Sequence, residues 1–199
     1  MRAYLAGKID LFDAMLTYGA NINSSRKTDG KTVLFFAIEN NDINFLEKYN
    51  ESIDLNHITV NGMSPLLAAA SVNAVEIAHF LIKKGVDLSS TDSHGNNALI
   101  IASKYGHYEM VHFLMRNGFD VNKLNHNGDN ALYFAKLVND QRYERIAHLL
   151  VLSGSKEIIR PNQLATGIKR SEQSVLNKNW ICSSCGVPFD TYGYCKCSN

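Results

Sequence analysis

The sequence predicts an all-α solenoid of helix-turn-helix repeats of about 33 residues, followed by a short cysteine-rich tail. A glycine recurs after 32, 33 and 33 residues, each time with a leucine four residues later and an alanine seven residues later. All four cysteines of the 199-residue chain lie beyond residue 181. The repeating positions are Gly30, Gly62, Gly95 and Gly128; Leu34, Leu66, Leu99 and Leu132; and Ala37, Ala69, Ala102 and Ala135.

Composition and charge exclude several classes of protein. With 45% apolar residues the chain can bury a core, and 20 basic against 19 acidic residues argue against a nucleic-acid partner. No apolar run approaches the roughly 18 residues that a membrane span needs. Because Lys8 and Asp10 interrupt the first residues, no secretory signal is visible. We therefore expect a cytoplasmic protein, or one in a host cytoplasm if it is a microbial or viral effector.

The unit that starts at Gly95 shows how one repeat folds. Gly95 predicts a turn, and residues 98–104 predict a short helix. Gly106 is expected to end this helix in a left-handed conformation. Residues 109–116 predict a second helix, whose buried stripe contains Met110, Val111 and Leu114. One such pair cannot bury its own apolar face, so the pairs must stack.

These units resemble ankyrin repeats. Residues 61–89 and 95–122 carry the clearest patterns, and 29–48, 127–154 and 3–23 follow them, with about three extra residues expected between the helices of the last full unit. The resemblance implies a stack of helix pairs with hairpin-like turns along one edge. It divides residues 1–155 into a partial first repeat and four repeats at about 27–56, 59–89, 92–122 and 125–155.

The chain departs from the family at the start of each first helix, where no unit keeps the family's histidine. The link between neighbouring repeats that this histidine makes is therefore expected to be replaced by apolar packing, while Ser, Thr and Asn still cap the helices. The apolar replacements are Phe35, Leu67, Ile100 and Tyr133.

Both ends of the stack need a cap. The chain begins inside a first helix, so either this half-repeat is a sufficient cap or preceding sequence is missing. At the other end, residues 156–179 are expected to be a capping segment, with a helix between 162 and 176, or a linker.

The tail, residues 180–199, contains Cys182, Cys185, Cys195 and Cys197. A Cys-x2-Cys-Gly turn followed by a second cysteine pair is typical of a structural zinc site, because zinc favours four thiolates in tetrahedral geometry. The segment resembles a zinc ribbon, although its Cys-x-Cys pair is tighter than usual. Unliganded thiols, disulfides or another metal are the alternatives.

Enzymatic function is not expected. His79, His112 and His148 occupy one position in successive units, and stacked helices lie about 8–10 Å apart, which is too far for shared metal ligation. The repeats contain no cysteine nucleophile and no phosphate-binding loop.

The resemblance implies a protein-binding adaptor that uses the turn tips and the concave inner face of the first helices, with no small-molecule substrate. Tyr105 is the expected anchor, since aromatic residues with a polar end favour interface centres. The alternatives are a subunit of a larger assembly whose zinc tail docks on protein or RNA, and a fragment of an effector whose catalytic part lies outside this chain. The candidate binding residues are Arg26, Asp29, Lys31, Met63, Val72, His94, Asn96, Lys104, Tyr105, Leu124 and His126.

Overall fold

A computed structural model describes residues 1–158, which form ten α-helices arranged as five consecutive pairs, without a β-strand in that range. The pairs are α1 (Arg2–Leu5) with α2 (Ile9–Thr17), α3 (Val33–Glu39) with α4 (Ile43–Tyr49), α5 (Pro65–Ser71) with α6 (Val75–Lys83), α7 (Ala98–Lys104) with α8 (Tyr108–Arg116), and α9 (Ala131–Leu137) with α10 (Gln141–Leu152). The predicted all-helical ankyrin-type solenoid is confirmed.

The helices form two layers. In the inner layer α3, α5, α7 and α9 pack in order, and in the outer layer α4, α6, α8 and α10 do the same. The leucine and alanine of each repeat lie between these layers: Leu99 is 1% exposed and Ala102 is completely buried. A small residue is required at the alanine position because the two helices of a pair approach closely there.

Three inner helices begin with the expected side-chain cap, whereas Thr32, at the start of α3, makes no such hydrogen bond. The side-chain oxygens of Asn97 and Asn130 each accept the backbone N–H three residues later, at 2.9 Å, and Ser64 does so at 3.4 Å. Phe35 and Leu67 are fully buried between neighbouring pairs, which confirms the apolar packing expected there. Tyr133 is only half-buried, since no further pair follows it in the described residues.

Between the two helices of a pair the backbone makes a left-handed turn. Gly106 has φ +73°, as predicted, and Asn41 and Asn73 take the same conformation at φ +51° and +58°. Asparagine tolerates this region better than most residues. In the last pair the connection contains no residue with positive φ, and Val138 is extended at φ −107° and ψ 127°.

Two details of the helices differ from the sequence-based expectations. Three residues separate α9 from α10, as in the preceding pair, so the expected extra residues are not between the helices. They instead lengthen α10 to 12 residues, against 9 in α8, because the three additional residues, Gln141, Arg142 and Tyr143, form an extra first turn that Asp140 caps. The second helix of the 98–116 pair also begins one residue earlier than predicted, at Tyr108.

The two ends of the described chain differ. At the first pair, α1 has four residues against seven in the other inner helices. At the other end, the chain continues along the path of the repeats. Asn130 Nδ2–H donates to the carbonyl of Lys156 at 2.7 Å, and the Lys156 N–H donates to Asn122 Oδ1 at 2.7 Å. The capping segment or linker expected at 156–179 lies outside the described residues beyond 158, as does the whole cysteine tail.

Candidate partner-binding surface

The turns that precede the inner helices form a continuous hydrogen-bonded row. The N–H of Val60 donates to the carbonyl of Asp29, and that of Ser93 to Asn61, each at 3.1 Å. The N–H of His126 donates in the same way to the carbonyl of His94, at 2.9 Å. Each tip therefore supports the next, and side chains on the row are held in a fixed register.

Glycine is needed at the tips for two reasons, which are clearest at Gly95. Its φ of +78° lies in the left-handed region. A Cβ atom there would also lie 2.5 Å from Cδ2 of His126 on the next tip. The recurring glycine therefore sets both the turn and the close approach of neighbouring tips.

The third and fourth tips contain an internal polar network. Asp92 Oδ1 accepts the backbone N–H groups of His94 and Asn96, at 2.9 Å each. Asn125 Nδ2–H donates to Asn96 Oδ1 at 2.8 Å. Asn96 is only 5% exposed as a result, and Asp129 at the equivalent position is 3% exposed. The expectation that Asn96 presents its side chain to a partner is therefore wrong, because its amide links two repeats.

In the first full unit, the tip and the inner helix face the same surface. The Arg26 guanidinium lies 5.2 Å from the centre of the Phe36 ring and pairs with the Asp29 carboxylate. The Lys31 ammonium pairs with Glu39 at the end of α3. The hydrogen bond from Arg26 is the main reason that the pKa of Asp29 falls to about 2. These cations are already neutralised within their own unit.

The centre of the surface lies where α5 and α7 end, at Val72 and Tyr105. The Tyr105 ring stacks on His107 with ring centres 6.1 Å apart and an interplanar angle of 27°. His107 Nε2 lies 3.0 Å from the carbonyl oxygen of Ser71, the residue before Val72. Tyr105 therefore packs on His107, which in turn contacts the backbone of the neighbouring repeat. Val72 and Tyr105 are 40% and 51% exposed.

A second contact holds the end of α7 from the other side. The hydroxyl of Tyr143, on α10, donates to the carbonyl of Lys104 at 3.1 Å. A Cβ on Gly106 would lie 3.0 Å from the same tyrosine ring. The backbone that carries Lys104 and Tyr105 is thus fixed by both neighbouring repeats, which reduces the entropy lost when a partner binds.

Most of the sequence-predicted residues are accessible, although they do not form one patch. Arg26, Asp29 and Lys31 cluster on the first full unit. Val72, Lys104 and Tyr105 lie at the ends of α5 and α7, and Leu124 lies on the fourth tip. We name the surface made by the tips and the exposed ends of the inner helices the inner face. The exposed members are Arg26, Val72, His94, Lys104, Tyr105, Leu124 and His126; Asp29, Lys31 and Met63 are half-buried.

Sequence reasoning missed two residues of this surface. Phe36 lies under Arg26, at the repeat position occupied by buried Ala68 and Ile101 in the next units. A phenylalanine at a position that holds Ala68 and Ile101 in the next units is the sequence signal that could have identified it. Tyr143 could not be found in this way, because its contact joins residues 39 positions apart.

The histidines and cysteines provide no metal centre within the described part of the chain. No group of three or more His, Cys, Asp or Glu side chains in residues 1–158 is arranged to hold an ion. His79 and Phe113 instead form an edge contact at 6.2 Å, and burial lowers the pKa of His148. The four cysteines lie outside the described residues.

A cleft of about 150 Å³ lies between the loop that precedes α5 and the loop that follows α6, next to Leu55, Pro65 and Val86. Pockets that bury a drug-sized ligand are larger, at about 300–1,000 Å³. None of the helices in residues 1–158 has the length and hydrophobicity of a membrane span.

Stacked helix pairs, linked turn tips and an exposed inner face define the class of helical repeat solenoids. The family model described as ankyrin repeats (3 copies) matches residues 1–92, and the one described as ankyrin repeats (many copies) matches residues 81–135. Together these matches span residues 1–135, so the protein belongs to the ankyrin repeat family. No curated protein matches the chain. Ankyrin repeats generally mediate protein–protein interactions and are typically not catalytic.

Proposed function

We propose that this protein is a non-enzymatic adaptor, acting in the cytoplasm, that binds a protein partner across its inner face. The observation that carries the proposal is the exposure of Val72 and Tyr105, which occupy the same position in neighbouring repeats on backbone that adjacent repeats hold. Burial of such side chains is favourable, and a fixed backbone loses little entropy on binding. Interface hot spots are enriched in tyrosine for the same reasons.

The test is affinity capture from cell extract with wild-type protein and with the double variant Lys104→Ala and Tyr105→Ala, followed by quantitative mass spectrometry. We expect one or more proteins to be captured by the wild type and strongly depleted in the double variant. Lys83→Ala, on the outer helix α6, is the matched control and should capture normally. The exposed positions leave the thermal midpoint nearly unchanged. Equal capture by wild type and double variant would remove the inner face as the binding site.

We further propose that Cys182, Cys185, Cys195 and Cys197 hold one structural zinc ion. The support is chemical: four thiolates in a short segment suit a closed tetrahedral site, and so short a segment has little core of its own. Elemental analysis of unchelated protein should find about one zinc per chain.

The cysteine variants test the assignment of ligands. Replacing Cys182 and Cys185 together by serine should abolish zinc binding and leave the helical circular dichroism of the repeats intact. The matched control replaces Ser183 and Ser184 by alanine and should keep the metal. If the unchelated protein contains no metal, the tail is a thiol cluster and the zinc proposal fails.

A further inference from the structure

The distribution of charge on the inner face is uneven. In the first full unit Arg26 pairs with Asp29 and Lys31 pairs with Glu39. The corresponding part of the second unit has no charged side chain. Its tip carries Ile58, Val60, Asn61 and Met63, and α5 ends at Ser71 and is followed by Val72. The third unit presents Lys104, whose ammonium has no ion pair with any residue of the described range 1–158.

The third unit also contains acidic residues, but none of them pairs with Lys104 in the described range. Glu109, in the first turn of α8, accepts a hydrogen bond from Asn73 Nδ2 at 3.4 Å. Asp92 is at the tip, where both carboxylate oxygens accept hydrogen bonds from the residues of its own turn. Lys104 is at the other end of α7, and a seven-residue helix is about 10 Å long, comparable to the Debye length in physiological salt. Asp92 therefore does not neutralise Lys104.

Lys104 lies at the border of the uncharged part of the inner face. Val60 at the second tip is 73% exposed, and Val72 and Tyr105 are 40% and 51% exposed. His107 contacts both the Tyr105 ring and the carbonyl of Ser71, the residue before Val72, which places Val72 and Tyr105 on adjacent parts of the inner face across two repeats. An apolar contact area with one unpaired cation at its border favours a ligand of matching composition.

We infer that the partner presents a linear segment in which an apolar side chain, seated against Val72 and Tyr105, is followed or preceded closely by a carboxylate that pairs with Lys104. This inference rests on the proposed binding function of the inner face and adds the chemistry of the partner. The ion pair between this carboxylate and Lys104 contributes more to specificity and to the orientation of the bound segment than to affinity, as charged groups at interface borders usually do.

The test is selection of binders from a phage-displayed library of random linear peptides on immobilised full-length protein. Selected peptides are sorted by their loss of binding to Tyr105→Ala, which identifies those that occupy the inner face. We expect these peptides to be enriched in Asp and Glu next to an aliphatic or aromatic residue. Their affinity should fall about tenfold in Lys104→Glu, and selection on that variant should yield Lys or Arg instead. Lys83→Glu is the matched control and should bind the original peptides normally.

The outcomes separate this inference from the proposed function. Peptides that require Tyr105 but lack acidic residues, or that bind Lys104→Glu as well as wild type, overturn the acidic segment and leave the inner face as the binding site. Peptides that bind Tyr105→Ala unchanged count against both. An empty selection overturns the linear segment, while capture from extract still decides the proposed function.

Discussion

Met15 in α2 and Leu114 in α8 occupy the same repeat position, four residues before the glycine that follows each outer helix. Leu114 is completely buried, as is Leu81 at this position in the preceding pair, whereas Met15 is 46% exposed. The difference arises because α1 has only four residues and no helix pair precedes it in the structure. Truncating both side chains to alanine therefore compares one repeat position in two environments.

The expected costs follow from burial. Leu114→Ala removes three carbon atoms from a site without solvent contact, so the transfer and cavity contributions together should cost about 3 kcal/mol, within the usual 2–5 kcal/mol. Met15→Ala removes atoms that are already half in water and leaves no closed cavity, so about 1 kcal/mol is expected. For a chain of this size, each kcal/mol lowers the midpoint of thermal unfolding by roughly 2–4 °C.

The assay is urea unfolding of both variants and the wild type, followed by far-ultraviolet circular dichroism. Equal slopes would show that the variants unfold from the same compact state, so that the midpoints report stability. A cost for Met15→Ala as large as that for Leu114→Ala would refute the reasoning, because the first helix pair would then be covered in solution. A cost below about 1 kcal/mol for Leu114→Ala would instead contradict the packing of α8.

Three further predictions follow from other parts of the fold. Burial, together with the hydrogen bond to Asp42, raises the pKa of Tyr4 to about 12. The folded state therefore keeps this proton while the unfolded chain releases it near pH 10, so Tyr4 contributes stability below pH 10 that is lost as the pH rises towards 12; in unfolding titrations Tyr4→Phe should lack this loss. Asn97→Ala removes the cap of α7 and should cost about 1 kcal/mol in urea unfolding. Ala102→Leu should cost roughly 1–3 kcal/mol by overpacking; an unchanged stability would show that the helices separate easily.

Local signals in the sequence were sufficient for the helix pairs and their order. The spacing of the glycines, leucines and alanines repeats often enough to place α7 at 98–104, and Gly106 takes the left-handed turn expected of it. Sequence signals were less informative where a prediction depended only on the number of residues in a unit. The length of the last unit predicts three additional residues in the connection, but they extend α10 at its start, because the number of residues alone does not show whether an insertion is a loop or a helical turn.

The amino-acid sequence by itself determined the repeat architecture, the family and the row of tips, because each depends on residues close together in the chain. Only the tertiary structure decided which side chains on that row are accessible. Asn96 has the sequence position of a tip residue, yet its hydrogen bond to Asn125 buries it between repeats. The support of Tyr105 by His107 and the contact of Tyr143 with Lys104 likewise join residues of different repeats. Such contacts depend on how the repeats stack in three dimensions, which no local pattern specifies.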